Sequence, residues 1–376
     1  MAEAFLAGSG GVEEQAKVQV RDEFLELVEI DAPSWGEGEI AERLQKKLDA
    51  LGAEVRQDEA GNLYGYLPGE LKRPPILLSA HMDTVEPSKG KQAVIEPDGI
   101  IRSAGDAVLG ADCVAGLVEI LQGIRLVQHS GRPHRPVEIL FSVAEETYCE
   151  GLDRFDFSQV KSRESYVLDL TGKVGSAALK APTLVSFQVS VRGRAAHAGM
   201  EPEKGINAIA IMAELLGKIP QGHLDAETTC NIGTIEGGQM INIVPELCTI
   251  RGEVRGYDHE RVMGIVADIE RLAAETAESS GTRSDFKYKV HIHSYATSAE
   301  ADVVARFQQS CRELGLGGEL TETFGGSDQN PLSQHGLQGI VLSNGMYKMH
   351  TTEEYTTIED LWQGSRLVAS LILSEV

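Results

Sequence analysis

Four short apolar runs, residues 75–80, 137–144, 165–168 and 338–343, lead directly or through one short loop to His81, Glu145-Glu146, Asp169 and His350. Runs of this length suit strands buried on both faces. A helix is expected at residues 114–127, between the first two runs. Two more are expected within residues 18–52, where Ile40, Leu44, Leu48 and Leu51 recur at helical spacing and Gly52 supplies a stop. Strands alternating with helices predict an α/β fold built on a mostly parallel sheet, which binds ligands at the carboxyl ends of its strands. The titratable residues fall at those ends.

A chain of 376 residues has room for about two domains. Between residues 183 and 294 the pattern changes to strand 184–191, helix 207–216, strands 230–235 and 241–255, helix 259–277 and strand 286–293. The order β-α-β-β-α-β predicts an inserted α+β, ferredoxin-like domain. In its last strand Phe286, Tyr288, Val290 and Ile292 alternate with Lys287, Lys289, His291 and His293, so the two histidines are expected on an exposed face. The expected division is residues 1–182 with 295–376 as one domain and 183–294 as the other.

The balance of 34 basic against 57 acidic residues gives a formal net charge of −23, which repels phosphate backbones and anionic lipid. Nucleic acid and membrane are therefore not expected partners. Residues 1–17 lack the basic and apolar regions of a secretory signal and are expected to form a mobile tail. No apolar run approaches the ~18 residues of a membrane span. Cys113, Cys149, Cys230, Cys248 and Cys311 are an odd, scattered set without a Cys-x-x-Cys pair, which fits a reducing cytoplasm better than a disulfide framework.

His81 ends its run with Asp83 two residues on, the spacing of a ligand histidine and an acceptor for its other N–H. Taken alone, a structural histidine explains it better. Asp112, in Gly110-Ala111-Asp112-Cys113, opens the next helix, where it could cap that helix or reach two cations. Glu145 and Glu146 are adjacent acids at a strand end, costly near a core edge unless a cation neutralises them. With Asp169 and His350 they complete a set of nitrogen and oxygen donors that zinc accepts. Together these residues predict a two-metal hydrolytic site bridged by Asp112.

The segments His81-Met82-Asp83-Thr84, Gly110-Ala111-Asp112, Glu145-Glu146, Tyr166-Val167-Leu168-Asp169, Gly237-Gly238, Asn242-Ile243-Val244-Pro245, Gly325-Gly326-Ser327-Asp328 and His350-Thr351 resemble, in this order, the co-catalytic zinc exopeptidase family. The Gly-Ala-Asp wording and an aspartate at position 169 lean towards its peptidase T-like branch. The resemblance implies two zinc ions per chain, with manganese or cobalt as substitutes. It assigns His81, Asp112 and Asp169 to one ion and Asp112, Glu146 and His350 to the other. Glu145 is implied as general base and Asp83 as the residue orienting His81. The inserted domain is implied as a lid that forms a homodimer, with His197 reaching the neighbouring active site. Arg255, Asn242 and Gly326 are implied substrate contacts. Arg255 could equally form a salt bridge within the lid.

The implied activity is hydrolysis of short peptides by a cytoplasmic aminopeptidase of tripeptidase type. An N-acyl amino acid amidohydrolase would use the same metals and base, and a non-catalytic peptide-binding homologue is the reading from another class. Cys113-Val114 stands where many members carry a second acid followed by lysine.

Overall fold

The computed structural model describes residues 10–375. The expected tail of residues 1–17 is corrected in part: residues 1–9 lie outside the described residues, whereas 10–17 belong to the helix Gly10–Val28. The physical reason is a 3.6-residue pattern that begins earlier than expected, with Ala16, Val20, Phe24 and Leu27 all buried. On the same helix Glu23 accepts from Lys47, Arg125 and Gln122, tying it to the helices Gly38–Ala50 and Ala111–Ser130.

The chain forms two compact units, and Ala181–Tyr295 is the second. In the first, an eight-stranded sheet has at its centre the strands Val137–Ser142, Ile76–His81, Glu164–Leu170 and Gln338–Ser343, side by side in that order and parallel. Every residue of the first two is buried, as a strand covered on both faces requires. Leu63–Leu67 and Glu54–Gln57 extend one edge antiparallel, and Ser176–Ala178 and Glu319–Thr321 complete the other. These edge strands are only three to five residues long, too short to stand out in sequence.

The helix Ala111–Ser130 packs on the strands Ile76–His81 and Glu164–Leu170 and against the helix Ile358–Leu373. Close approach of the two helices depends on Gly123, where a Cβ would come within 2.4 Å of Val368. The strand Val137–Ser142 stops two residues short of the apolar run, so Glu145 and Glu146 lie in the following loop. Asp169 sits inside its strand, not beyond it.

The second unit is an antiparallel sheet in the order Gly222–His223, Thr228–Gly237, Leu247–Gly256, Thr183–Arg192, Arg283–Ile292, with helices Ala208–Leu216 and His259–Ser279. Strand pairing begins at Leu247, not at residue 241. Val244 N–H donates to the Ala196 carbonyl, Ala198 N–H to the Asn242 carbonyl, and Pro245 has no N–H to give a ladder. On the face expected to be exposed, Lys287, Lys289 and His293 are exposed and His291 is half-buried. His291 Nε2 is 2.7 Å from the Ser186 hydroxyl, and the His293 ring lies 4.5 Å from that of His259.

Candidate metal centre

The parallel strands bring their carboxyl ends together, and with them the titratable side chains. His81 is the last residue of its strand, and Asp169 is the penultimate residue of the neighbouring one. Asp112 follows Gly110 and Ala111 at the head of a helix, yet its own φ and ψ, −80° and 99°, are not helical. Glu145 and Glu146 come after Ala144, whose φ of 52° turns the chain sharply; His350 has a φ of 60°. Left-handed backbone at non-glycine residues costs about 1–3 kcal/mol each and gathers where function fixes the geometry.

Asp112 faces both histidines: its Oδ1 is 3.0 Å from His81 Nε2, and its Oδ2 is 3.1 Å from His350 Nε2. His81 Nε2 is also 3.6 Å from Asp169 Oδ1, and His350 Nε2 is 3.1 Å from Glu146 Oε1. The Glu145 carboxylate stands slightly back, with Oε2 4.0 Å from His81 Nε2. Among the described residues, donor atoms of His81, Asp112, Cys113 and Asp169 cluster within 4.8 Å of one another, as do those of Asp112, Glu146 and His350. The Cys113 thiol donates to the Leu168 carbonyl at 2.8 Å.

Four carboxylates share this space. Burial, and then the Asp169 charge, push Glu145 well above the usual carboxylate range; burial raises Asp169 to about 7 despite His81. Hydrogen bonds to Asp112 and Glu146 raise His350 to about 10. Such mutual repulsion is relieved by cations, and two imidazoles with several carboxylate oxygens match the preferences of zinc. The donor set fits a pair of divalent ions sharing Asp112.

His81 Nδ1 lies 2.9 Å from the main-chain carbonyl of Asp83 and 3.4 Å from its carboxylate. A carbonyl only accepts, so Nδ1 carries a proton, and with an ion bound Nε2 would offer it the lone pair. The expected role of Asp83 is thereby amended: its peptide oxygen is the nearer acceptor. Its carboxylate accepts the N–H groups of Glu145 (3.0 Å) and Glu146 (3.1 Å) and the Ser34 hydroxyl (2.7 Å).

Two further buried acids were missed in sequence. Glu37 Oε1 accepts the N–H groups of Ala144 and Trp35, and Glu354 accepts those of Gly110 and Asp112. Neither belongs to a periodic pattern. The only available signal was the four-residue spacing of Glu354 from His350.

Three of the remaining candidates belong to the second unit. His197 is exposed in the second unit, and its Nδ1 accepts the N–H groups of Gly199 and Met200 at 3.2 and 3.1 Å. With Nδ1 accepting, the ring's proton is on Nε2, which is left as a donor. Arg255 forms a two-pronged salt bridge with Glu253 at 2.8 and 3.2 Å within the same unit. Asn242 is exposed in the loop before the strand Leu247–Gly256; Gly326 is exposed in the first unit, ahead of the helix Gln329–Gln334.

Comparison with known proteins matches residues 181–280 to the peptidase dimerisation domain and residues 62–198 to peptidase family M28. The chain is 34% identical over 359 residues to the uncharacterized protein YqjE of Bacillus subtilis, spanning 93% of this chain and 96% of that one. The structure of aminopeptidase PepT from Bacillus cereus is similar, with a TM-score of 0.90 and 34% identity over 95% of this chain and 98% of that one. A tripeptidase from Staphylococcus aureus gives a TM-score of 0.92 and 30% identity, again over 95% and 98%.

Proposed function

The chain belongs to the co-catalytic zinc exopeptidase family, in its peptidase T-like branch, and on that premise we propose that it is a di-zinc aminopeptidase that shortens small peptides, including tripeptides, from the amino end. It is a metal-dependent hydrolase acting on peptide bonds. The observation that carries the reading is the placement of Asp112, one oxygen towards each histidine. His81, Asp112 and Asp169 would hold one ion, and Asp112, Glu146 and His350 the other. When bound, such ions supply Lewis acidity to the scissile carbonyl and acidify water at the site.

The protein's own groups do the rest. Glu145 stands beside the cluster, its Oε2 4.0 Å from His81 Nε2, within reach of a water held there, the position a general base requires. It takes the proton of the attacking water and returns it to the departing amine. Asp83 and Glu37 hold the Ala144–Glu146 turn by its N–H groups and so set where that carboxylate points. His197, with its proton on Nε2, is suited to donate to the oxyanion as it forms.

In the second unit Met240, Ile241, Ile243, Ile209, Ile235 and Leu247 are all exposed apolar side chains. So much apolar surface on a unit matched to a dimerisation domain supports a homodimer formed through this lid, the partner supplying His197. Asn242 and Gly326 would then contact substrate. The pairing of Arg255 with Glu253 favours its salt-bridge role. All five cysteines are free thiols, and among the described residues no helix is long and apolar enough to cross a membrane. Both observations are compatible with a cytoplasmic enzyme.

Two similar solved structures, each at least 30% identical to this chain, are an aminopeptidase and a tripeptidase, which favours peptides over N-acyl amino acids. Activity against di- and tripeptides, N-acetyl and N-succinyl amino acids, each with zinc, manganese or cobalt, tests the reading. Turnover confined to blocked amino acids would overturn it.

A further inference from the structure

Glu354 carries a carboxylate into the interior and spends it on main chain. It is 1% exposed; its Oε2 accepts the N–H of Gly110 at 2.7 Å and its Oε1 that of Asp112 at 2.8 Å. Those groups lie at the head of the helix Ala111–Ser130, where N–H groups have no partner within the helix. Asp112 and Cys113 depart from helical geometry, so the helix itself does not fix the direction of the Asp112 side chain.

The opposite side of the turn is equally confined. Lys91, buried beside Glu354 and close enough to interact with it electrostatically, donates to the Thr84 hydroxyl at 3.1 Å. Gly110 has a φ of 84°, and a Cβ there would come within 2.9 Å of Lys91 Nζ and 3.0 Å of Thr84. The turn is held from one side by Glu354 and packed from the other by Lys91 and Thr84.

His350 lies four residues before Glu354, and its Nε2 meets Asp112 Oδ2 at 3.1 Å. One short segment thus presents a histidine to the far end of the Asp112 side chain and anchors that residue's backbone. We propose that Glu354 is the positioning residue for Asp112, fixing the shared carboxylate relative to His350 so that both ions find their ligands already placed. The proposal rests on the reading of Asp112 as the shared ligand. Residues that orient metal ligands typically change metal affinity about 10- to 100-fold when replaced.

The test is zinc binding by metal-stripped, full-length protein, measured by competition with a chromophoric chelator for wild type, Glu354→Ala and Glu354→Gln, with melting temperatures of the metal-free proteins alongside. Glu354→Ala should lose affinity by about 10- to 100-fold. Glu354→Gln keeps one acceptor oxygen and should lose less. A purely structural role would lower the metal-free melting temperature while the folded protein still bound zinc as wild type does. Wild-type affinity in folded Glu354→Ala, or in Glu354→Gln if the alanine variant does not fold, overturns the proposal. Failure of the wild-type protein itself to bind zinc would instead overturn the reading of the metal centre, and this proposal with it.

Discussion

Asp83 Oδ1 accepts the backbone N–H of Glu145 at 3.0 Å across 62 residues of sequence. The segment that follows His81 therefore also holds the turn that delivers Glu145. Replacement of Asp83 by Asn puts an amide where two N–H groups need acceptors, so one of them loses its partner in a buried setting. A loss of about 1–3 kcal/mol in stability is expected. Denaturant unfolding and kcat, measured together, should both show the defect; unchanged values for both would contradict the role given to Asp83.

Asp112→Ala is expected to empty both metal positions together, because each oxygen of that carboxylate serves a different histidine. Equilibrium dialysis with metal analysis reads the outcome. One full ion retained per chain would mean that the two positions do not share Asp112.

Metal-free protein should lose stability as pH rises. His350 goes from 6.5 to about 10 on folding, through its hydrogen bonds to Asp112 and Glu146, and Asp169 from 3.8 to about 7, through burial. Both shifts mean that the folded chain binds more protons than the unfolded one, so their contribution favours folding at low pH and fades between about 4 and 10. The melting temperature of stripped protein should fall from pH 6.5 to 10, and saturating zinc should flatten that slope. A stripped protein that becomes more stable across this range would contradict the electrostatic account.

If His197 works across a dimer, mixing inactive His197→Ala chains with inactive Glu145→Gln chains should restore partial activity, since some sites then receive an intact histidine and an intact base. No recovery in demonstrated mixed dimers would place His197 within its own chain's chemistry or outside it.

The central sheet and its strand-end acids are legible in sequence because a doubly buried strand must be an unbroken apolar run, and a charge at its end is conspicuous. His81, Asp112, Glu146, Asp169 and His350 come together at that edge of the sheet, although Asp112 heads a helix and Glu146 lies in a loop. The groups that hold them are not legible. Glu37 and Glu354 lie in loops, where nothing in the local pattern says that a carboxylate will be buried against N–H groups from distant segments. The start of the first helix was obscured by a glycine-rich stretch before its apolar stripe, and the strand Leu247–Gly256 was expected too early because Ile241, Ile243 and Val244 look like strand residues although Pro245 interrupts the ladder. Asp83 was legible as an acid near His81, but the choice between its peptide oxygen and its carboxylate depends on a turn 62 residues away.

The most direct measurement compares Glu145→Gln with Glu146→Gln for metal content and kcat. The account gives Glu145 protons to move and Glu146 an ion to hold. Glu145→Gln should keep its metals and lose kcat by at least about 10²- to 10⁴-fold with KM little changed, as removal of a general base does. Glu146→Gln should lose metal, because an amide is a poor substitute for a carboxylate ligand. Metal lost from Glu145→Gln and retained by Glu146→Gln would reverse the two assignments, and similar modest effects in both would contradict the division of labour altogether.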